Sequence, residues 1–151
     1  MTEIFDRTER PDPELFFNCG DKNDPRLGET VKSAPECYEK SEIVIVGCPQ
    51  DLGVTRANRR AGAAKAPTEI RRQFYRLTPF NITRRVFDLG DVKIGSSLEE
   101  THENHFQVVK QLLSDGKRVL VLGGGSDISY PNGCAMAEVF GEKNWIAINV
   151  D

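Results

Sequence analysis

No apolar run in this sequence approaches the roughly 20 residues that a membrane-spanning helix needs, so a membrane partner is not expected. The first residues, Met1-Thr2-Glu3-Ile4-Phe5-Asp6-Arg7, carry no apolar stretch of the signal-peptide kind, so no secretory signal is expected either. An excess of positive charge is also missing. The formal net charge is −3, which excludes a generally basic nucleic-acid surface. The four cysteines, Cys19, Cys37, Cys48 and Cys134, form no C-x-x-C pair. Their uneven spacing suits neither a zinc site nor a disulfide framework, and reduced thiols in a cytoplasmic protein are the expectation. Internal repeats and low-complexity tracts are absent as well.

The chain has 151 residues, long enough to bury a core, with 28% charged residues and 38% hydrophobic ones, the balance of an ordinary globular domain. Residues 1–40 are punctuated by Pro11, Pro13, Pro25 and Pro35. They read as an irregular N-terminal arm with a short helix near Pro13–Phe17, anchored by Leu15-Phe16-Phe17. Residues 41–151 read as an α/β unit. Ile43–Gly47 is a β-branched run of the kind buried on both faces. Pro67 opens a helix with Ile70 and Phe74 on one face, and Val86–Gly90 is a second strand. Thr101 caps a helix reaching Ser114, with Phe106, Val109 and Leu113 on its apolar face and Gly116 as its stop. Val119–Leu122 is a third strand, expected to be buried like the first, Cys134–Phe140 a short helix, and Trp145–Val150 a last strand. This alternation predicts an α/β fold with a mainly parallel sheet flanked by helices.

In such sheets ligands bind beyond the carboxyl ends of the strands. The strand ends here supply Asp51, Asp91, Asp127 and Asp151, interleaved with glycines. Clustered carboxylates with no matching cation suit a divalent metal; the alternative is that they cap helices and solvate turns. Gly123-Gly124-Gly125 lacks the third glycine of a dinucleotide fingerprint, a Pro131-Asn132-Gly133 turn interrupts the helix after it, and no Walker lysine is present.

These strand-end residues also carry a family resemblance. Gly123-Gly124-Gly125-Ser126-Asp127 resembles the G-G-G-H-[DE] motif of the arginase, agmatinase and formiminoglutamase (ureohydrolase) family. Ile148-Asn149-Val150-Asp151 resembles the approach to its D-A-H-x-D motif. Gly53-Val54, Arg60–Ala64 and Ala66–Arg71 resemble its G-V, G-R-x-G-A and A-P-x-x-I-R segments, and Asp88-Leu89-Gly90-Asp91 its D-L-G-D. The wording is closest to formiminoglutamase. The resemblance implies an arginase-like three-layer α/β/α fold, incomplete at its C-terminus, in the N-terminal portion of a longer protein. It implies two manganese ions and a small guanidino or formimino substrate. Asp151 would be the first aspartate ligand, and Ser126 stands at the position of the histidine ligand, where a neutral hydroxyl is a poorer donor than imidazole. Asp127 would hydrogen-bond within its loop. Ala57-Asn58-Arg59 departs from the family's N-G-G.

His102 and His105 have a chelating spacing but read more simply as part of a solvated acidic helix start. The arginines Arg56, Arg59, Arg60, Arg71, Arg72, Arg76, Arg84 and Arg85 read as a solvated or intersubunit face, with recognition of a substrate carboxylate as the alternative. The expectation is therefore a portion of a metal-dependent C–N hydrolase, homo-oligomeric, whose isolated residues 1–151 do not turn over substrate. Catalytic and substrate-binding residues remain unassigned. The competing readings are a non-catalytic relative with a structural or subunit-binding role, and a small-ligand or nucleotide-binding domain.

Overall fold

Burial of both faces of Ile43–Gly47 organises the molecule. The computed structural model describes residues 2–148 and 150. Four strands form one sheet in the order β1-β3-β2-β4, with β1 at Thr8–Glu9, β2 at Ile43–Gly47, β3 at Val86–Val92 and β4 at Arg118–Leu122. The pairs β2–β3 and β2–β4 are parallel, and β1 adds an antiparallel edge to β3. The register of β2 against β3 shifts between Ile45 and Val46. There Gly90 has φ +95°, and a Cβ on it would lie 1.8 Å from the Glu9 carbonyl oxygen, so only glycine fits.

Helices cover both faces. The helices are α1 (Thr2–Asp6), α2 (Leu27–Thr30), α3 (Leu52–Arg56), α4 (Ala66–Phe74), α5 (Leu98–Ser114) and α6 (Ser129–Phe140). Side chains alternate along β2, so Val44 and Val46 pack on one face with Phe87, Leu89, Val108 and Leu112, while Ile45 packs on the other with Leu15, Leu27, Val31 and Tyr75. The arm enters both cores. Ile4 and Tyr38 are buried in the first, and Phe5 meets the rings of Tyr38 and Phe87 edge-on at 5.8 and 6.4 Å. Leu15 is thus one anchor among several.

Three helical expectations shift. In α4 the buried positions are Pro67 and Arg71, whereas Ile70 is 42% exposed. The helix presents its Arg71 side to the sheet because a polar partner waits there. α5 begins at Leu98 under a Ser97 cap that accepts from the Glu100 N–H, and Thr101 is buried inside it. Its core face is Leu98, Thr101, His105, Val108, Val109 and Leu112. α6 runs unbroken through Pro131-Asn132-Gly133. Proline in the first turn loses no intrahelical bond, so the expected interruption does not occur.

Residues 145–148 and 150 form no strand. Ile146, Ile148 and Val150 are more than 80% exposed, and Trp145 lies against Gly133 of α6. β-Branched sequence favours a strand only where a partner edge is met, and this segment meets none among the described residues. No helix among them is long and apolar enough to cross a membrane.

Candidate functional site

Parallel β2 and β4 deliver their following loops to the same sheet edge. The Cys48–Asp51 loop leads into α3, and the Gly123–Gly125 loop leads through a 3-10 turn at Ser126–Ile128 into α6. The two loops are tied by the Gly125 N–H donating to the Gln50 carbonyl at 3.1 Å. A Cβ at Gly124 would lie 1.8 Å from that carbonyl oxygen, so the glycine run serves close backbone approach.

Asp127 does more than bond within its loop. Its Oδ2 accepts from Gln50 Nε2 at 2.6 Å and from His102 Nε2 at 2.6 Å, linking the β2 loop, the β4 loop and α5. With a carboxylate as acceptor, Nε2 of His102 carries the proton. Asp127 Oδ1 is buried with no hydrogen-bond partner among the described residues. Neither the 3-10 turn nor α6 has a side-chain cap, so Asp127 is not a helix cap.

The two histidines diverge. His102 lies in the second turn of α5 and is 18% exposed, while His105 is fully buried and its Nε2–H donates to Asn132 Oδ1 at 2.8 Å. A solvated helix start is therefore not their setting. Burial lowers the pKa of His105, the Asn132 bond opposes this in part, and His102 adds to the lowering. Folding thus favours the neutral imidazole. Stability from this site is full above the ordinary histidine value of about 6.5 and is lost as pH falls through it towards the lower folded-state value. A urea titration across pH 5–8 is expected to show this slope, and a His105→Asn variant to lack it.

Asp91 is not free for a metal. Arg71, 1% exposed, donates from Nε and Nη2 to Asp88 at 2.8 and 2.9 Å, from Nη1 to Asp91 Oδ1 at 2.6 Å, and from Nη2 to the Gly90 carbonyl at 2.9 Å. The Tyr75 hydroxyl also donates to Asp88. Burial opposes the guanidinium charge, but Asp88 and Asp91 more than offset it and hold the pKa above its ordinary value. The expectation of strand-end carboxylates without a matching cation is corrected here, because the cation comes from α4. The remaining arginines behave as a solvated face: Arg56 pairs with Glu99, Arg72 with Glu69, and Arg84 with Glu42, while Arg59 and Arg60 are exposed.

Ser126 is exposed, and its carbonyl accepts from the Ser129 hydroxyl at 2.7 Å. Asp51 accepts from the Gly62 N–H at 2.7 Å. Cys48 is buried at the same edge, where burial first, and then the charges of Asp127 and Asp91, push its thiol up to about 12. It is a neutral packing group. Asp151 lies outside the described residues. Among those residues no group of three or more His, Cys, Asp or Glu side chains could hold a metal ion.

Residues 41–151 match the family model described as the Arginase family. The chain is 33% identical over 131 residues to the formimidoylglutamase of Salmonella arizonae, covering 83% of this chain and 42% of that protein. It is 35% identical to the Klebsiella pneumoniae formimidoylglutamase, covering 83% and 41%. Among solved structures, Trypanosoma cruzi formiminoglutamase with Mn2+ superposes with a TM-score of 0.70 at 38% identity, over 78% of this chain and 41% of that one. Bacillus subtilis formimidoylglutamase superposes with a TM-score of 0.72 at 23% identity, a likeness of fold. The chain spans about two fifths of the length of these relatives.

Proposed function

The chain belongs to the arginase family, and from that premise we propose that it forms the N-terminal α/β portion of a formimidoylglutamase-like C–N hydrolase. The observation that carries this reading is the chain's 33–38% identity to the Salmonella arizonae, Klebsiella pneumoniae and Trypanosoma cruzi enzymes. The Gly123–Asp127 loop, where the metal motif is expected, stands at the carboxyl edge of the parallel strands. The substrate class is a small formimino or guanidino compound, whose C–N bond is cleaved by one water to give formamide or urea and the free amine. In such an enzyme paired manganese ions lower the pKa of an attacking water.

This chain's share in that centre is Asp151 as a carboxylate ligand and Ser126 at the imidazole position. The described residues do not by themselves fit a two-metal shell, since they offer an exposed hydroxyl and an Asp127 carboxylate already bonded to Gln50 and His102. No hydrolytic step can be built from them alone. Their part is to build the sheet edge and fix the loop. Homo-oligomerisation belongs to the same proposal.

Two assays test it. Residues 1–151 with Mn2+ are expected to release no formamide from N-formimino-L-glutamate. A protein carrying this chain at its relatives' full length is expected to release it, and to act more slowly on arginine and agmatine. Ser126 favours one competing reading, a non-catalytic relative. If the longer protein binds no manganese by equilibrium dialysis, and Ser126→His gains none, that reading replaces the hydrolase.

A further inference from the structure

Asp127 occupies a pocket shaped for its carboxylate. A Cβ on Gly53 would lie 2.3 Å from Asp127 Cγ and Oδ1, and one on Gly125 would lie 2.1 Å from Oδ1. Both positions must be glycine for the carboxylate to sit where it does. The oxygen facing them is buried and unpartnered among the described residues. The other oxygen takes two bonds, one from Gln50 on the β2 loop and one from His102 on α5. Gln50 is itself 2% exposed and accepts weakly from the Gly53 N–H at 3.4 Å.

We propose that His102 and Gln50 are positioning residues, which clamp Asp127 and thereby fix the Gly123–Asp127 loop on which Ser126 stands. The significance for chemistry rests on the functional reading given above; the clamp itself rests on geometry. Donors from two separate elements converge on one oxygen of a residue adjacent to Ser126. Hydrogen bonds to an ionised acceptor are roughly twice as strong as neutral ones. The loop's backbone ties are Gly125 N–H to Gln50 at 3.1 Å, Ile128 N–H to Gly125 at 3.3 Å, and Ser129 N–H to the Ser126 and Asp127 carbonyls. Glycine at three successive positions leaves the loop backbone free to take several conformations, and side-chain bonds narrow that choice. Groups beyond the reacting centre commonly set the orientation of the groups that touch it.

Amide hydrogen exchange of the full chain tests the clamp. The Gly125 and Ile128 amides report on the loop, and the Val44 and Val46 amides on the core. In His102→Ala, loop exchange is expected to accelerate about tenfold or more relative to the core, as loss of a charge-assisted bond implies. His102→Gln, which keeps a donor near the Nε2 position, is expected to recover most of the protection. Asp127→Asn removes the charge without emptying the α5 interface and should loosen the loop in the same selective way. An unchanged loop-to-core ratio in both His102→Ala and Asp127→Asn would overturn the proposal, as would a glutamine variant no better than alanine. If His102→Ala fails to fold, Asp127→Asn alone decides. Should the longer protein show no hydrolase activity while these amides respond as expected, the functional reading falls and the clamp stands.

Discussion

Replacing Arg71 with methionine is expected to destabilise the chain by about 3–5 kcal/mol, the range for removing one partner of a buried charge pair. The methionine fills most of the volume, so little of this loss comes from a cavity. It comes from Asp88, which is fully buried and would keep only Tyr75 and the Gly90 N–H as donors, and from Asp91 beside it. Burial first, and then the neighbouring Asp88 charge, already raise the Tyr75 pKa, so Tyr75 cannot supply a proton in exchange. Chemical denaturation of the purified variant measures the effect. Adding Asp88→Asn to Arg71→Met should recover part of the loss, because it removes the stranded charge. A single variant within about 1 kcal/mol of wild type would show that water or rearrangement hydrates the carboxylates.

Truncating Phe87 to alanine is expected to cost about 3–5 kcal/mol, as for other buried aromatics. Phe87 is 1% exposed on the α5 face of β3, and its ring meets both Tyr38 and Phe5 edge-on. Two of its neighbours come from the arm, so the cavity would open between arm and sheet. The distinctive expectation is spatial: amides of α1 and β1 should lose protection along with those of β3. If the arm amides keep theirs while β3 loosens, residues 1–40 are packed independently of the sheet core.

These two sites also show what the sequence discloses. β2 lies where the β-branched run is, because a strand buried on both faces leaves an uninterrupted apolar signature; β4 is as apolar in sequence, yet it is an edge strand on which Leu120 is 40% exposed. The loops at the carboxyl edge are legible from strand direction alone. Arg71 is not separable from its neighbours by sequence, since a buried arginine has the same letter as the solvated Arg72 beside it. Only a partner 17 residues away in sequence, Asp88, decides between them. The arm's place in the core is hidden for a related reason. Its anchors, Ile4, Leu27, Val31 and Tyr38, are scattered singly among charges and prolines, so no periodicity marks them. The periodicity locates α5 but sets its buried face one position out of phase, because His105 and Thr101 count as polar in a pattern yet sit at 0% exposure. At the candidate site the glycine run and Ser126 are legible, whereas the His102–Asp127 link joins residues 25 apart and needs the fold to reveal it.

The register shift beside Gly90 has a wider meaning for the Asp88-Leu89-Gly90-Asp91 run. In an even strand, residues three apart point to opposite sides, so one guanidinium could not hold both aspartates. Here Ile45 sits opposite Asp88, Val46 opposite Gly90 and Gly47 opposite Asp91, which leaves Leu89 uncounted by the neighbouring strand. Measured in the frame of β2 the two carboxylates are two steps apart, and their parity is restored. Leu89 is the silent beat that lets the motif address a single arginine, with its own side chain sent to the opposite core. The four letters are thus a counting device, in which the spacing is as much a part of the message as the charges it separates.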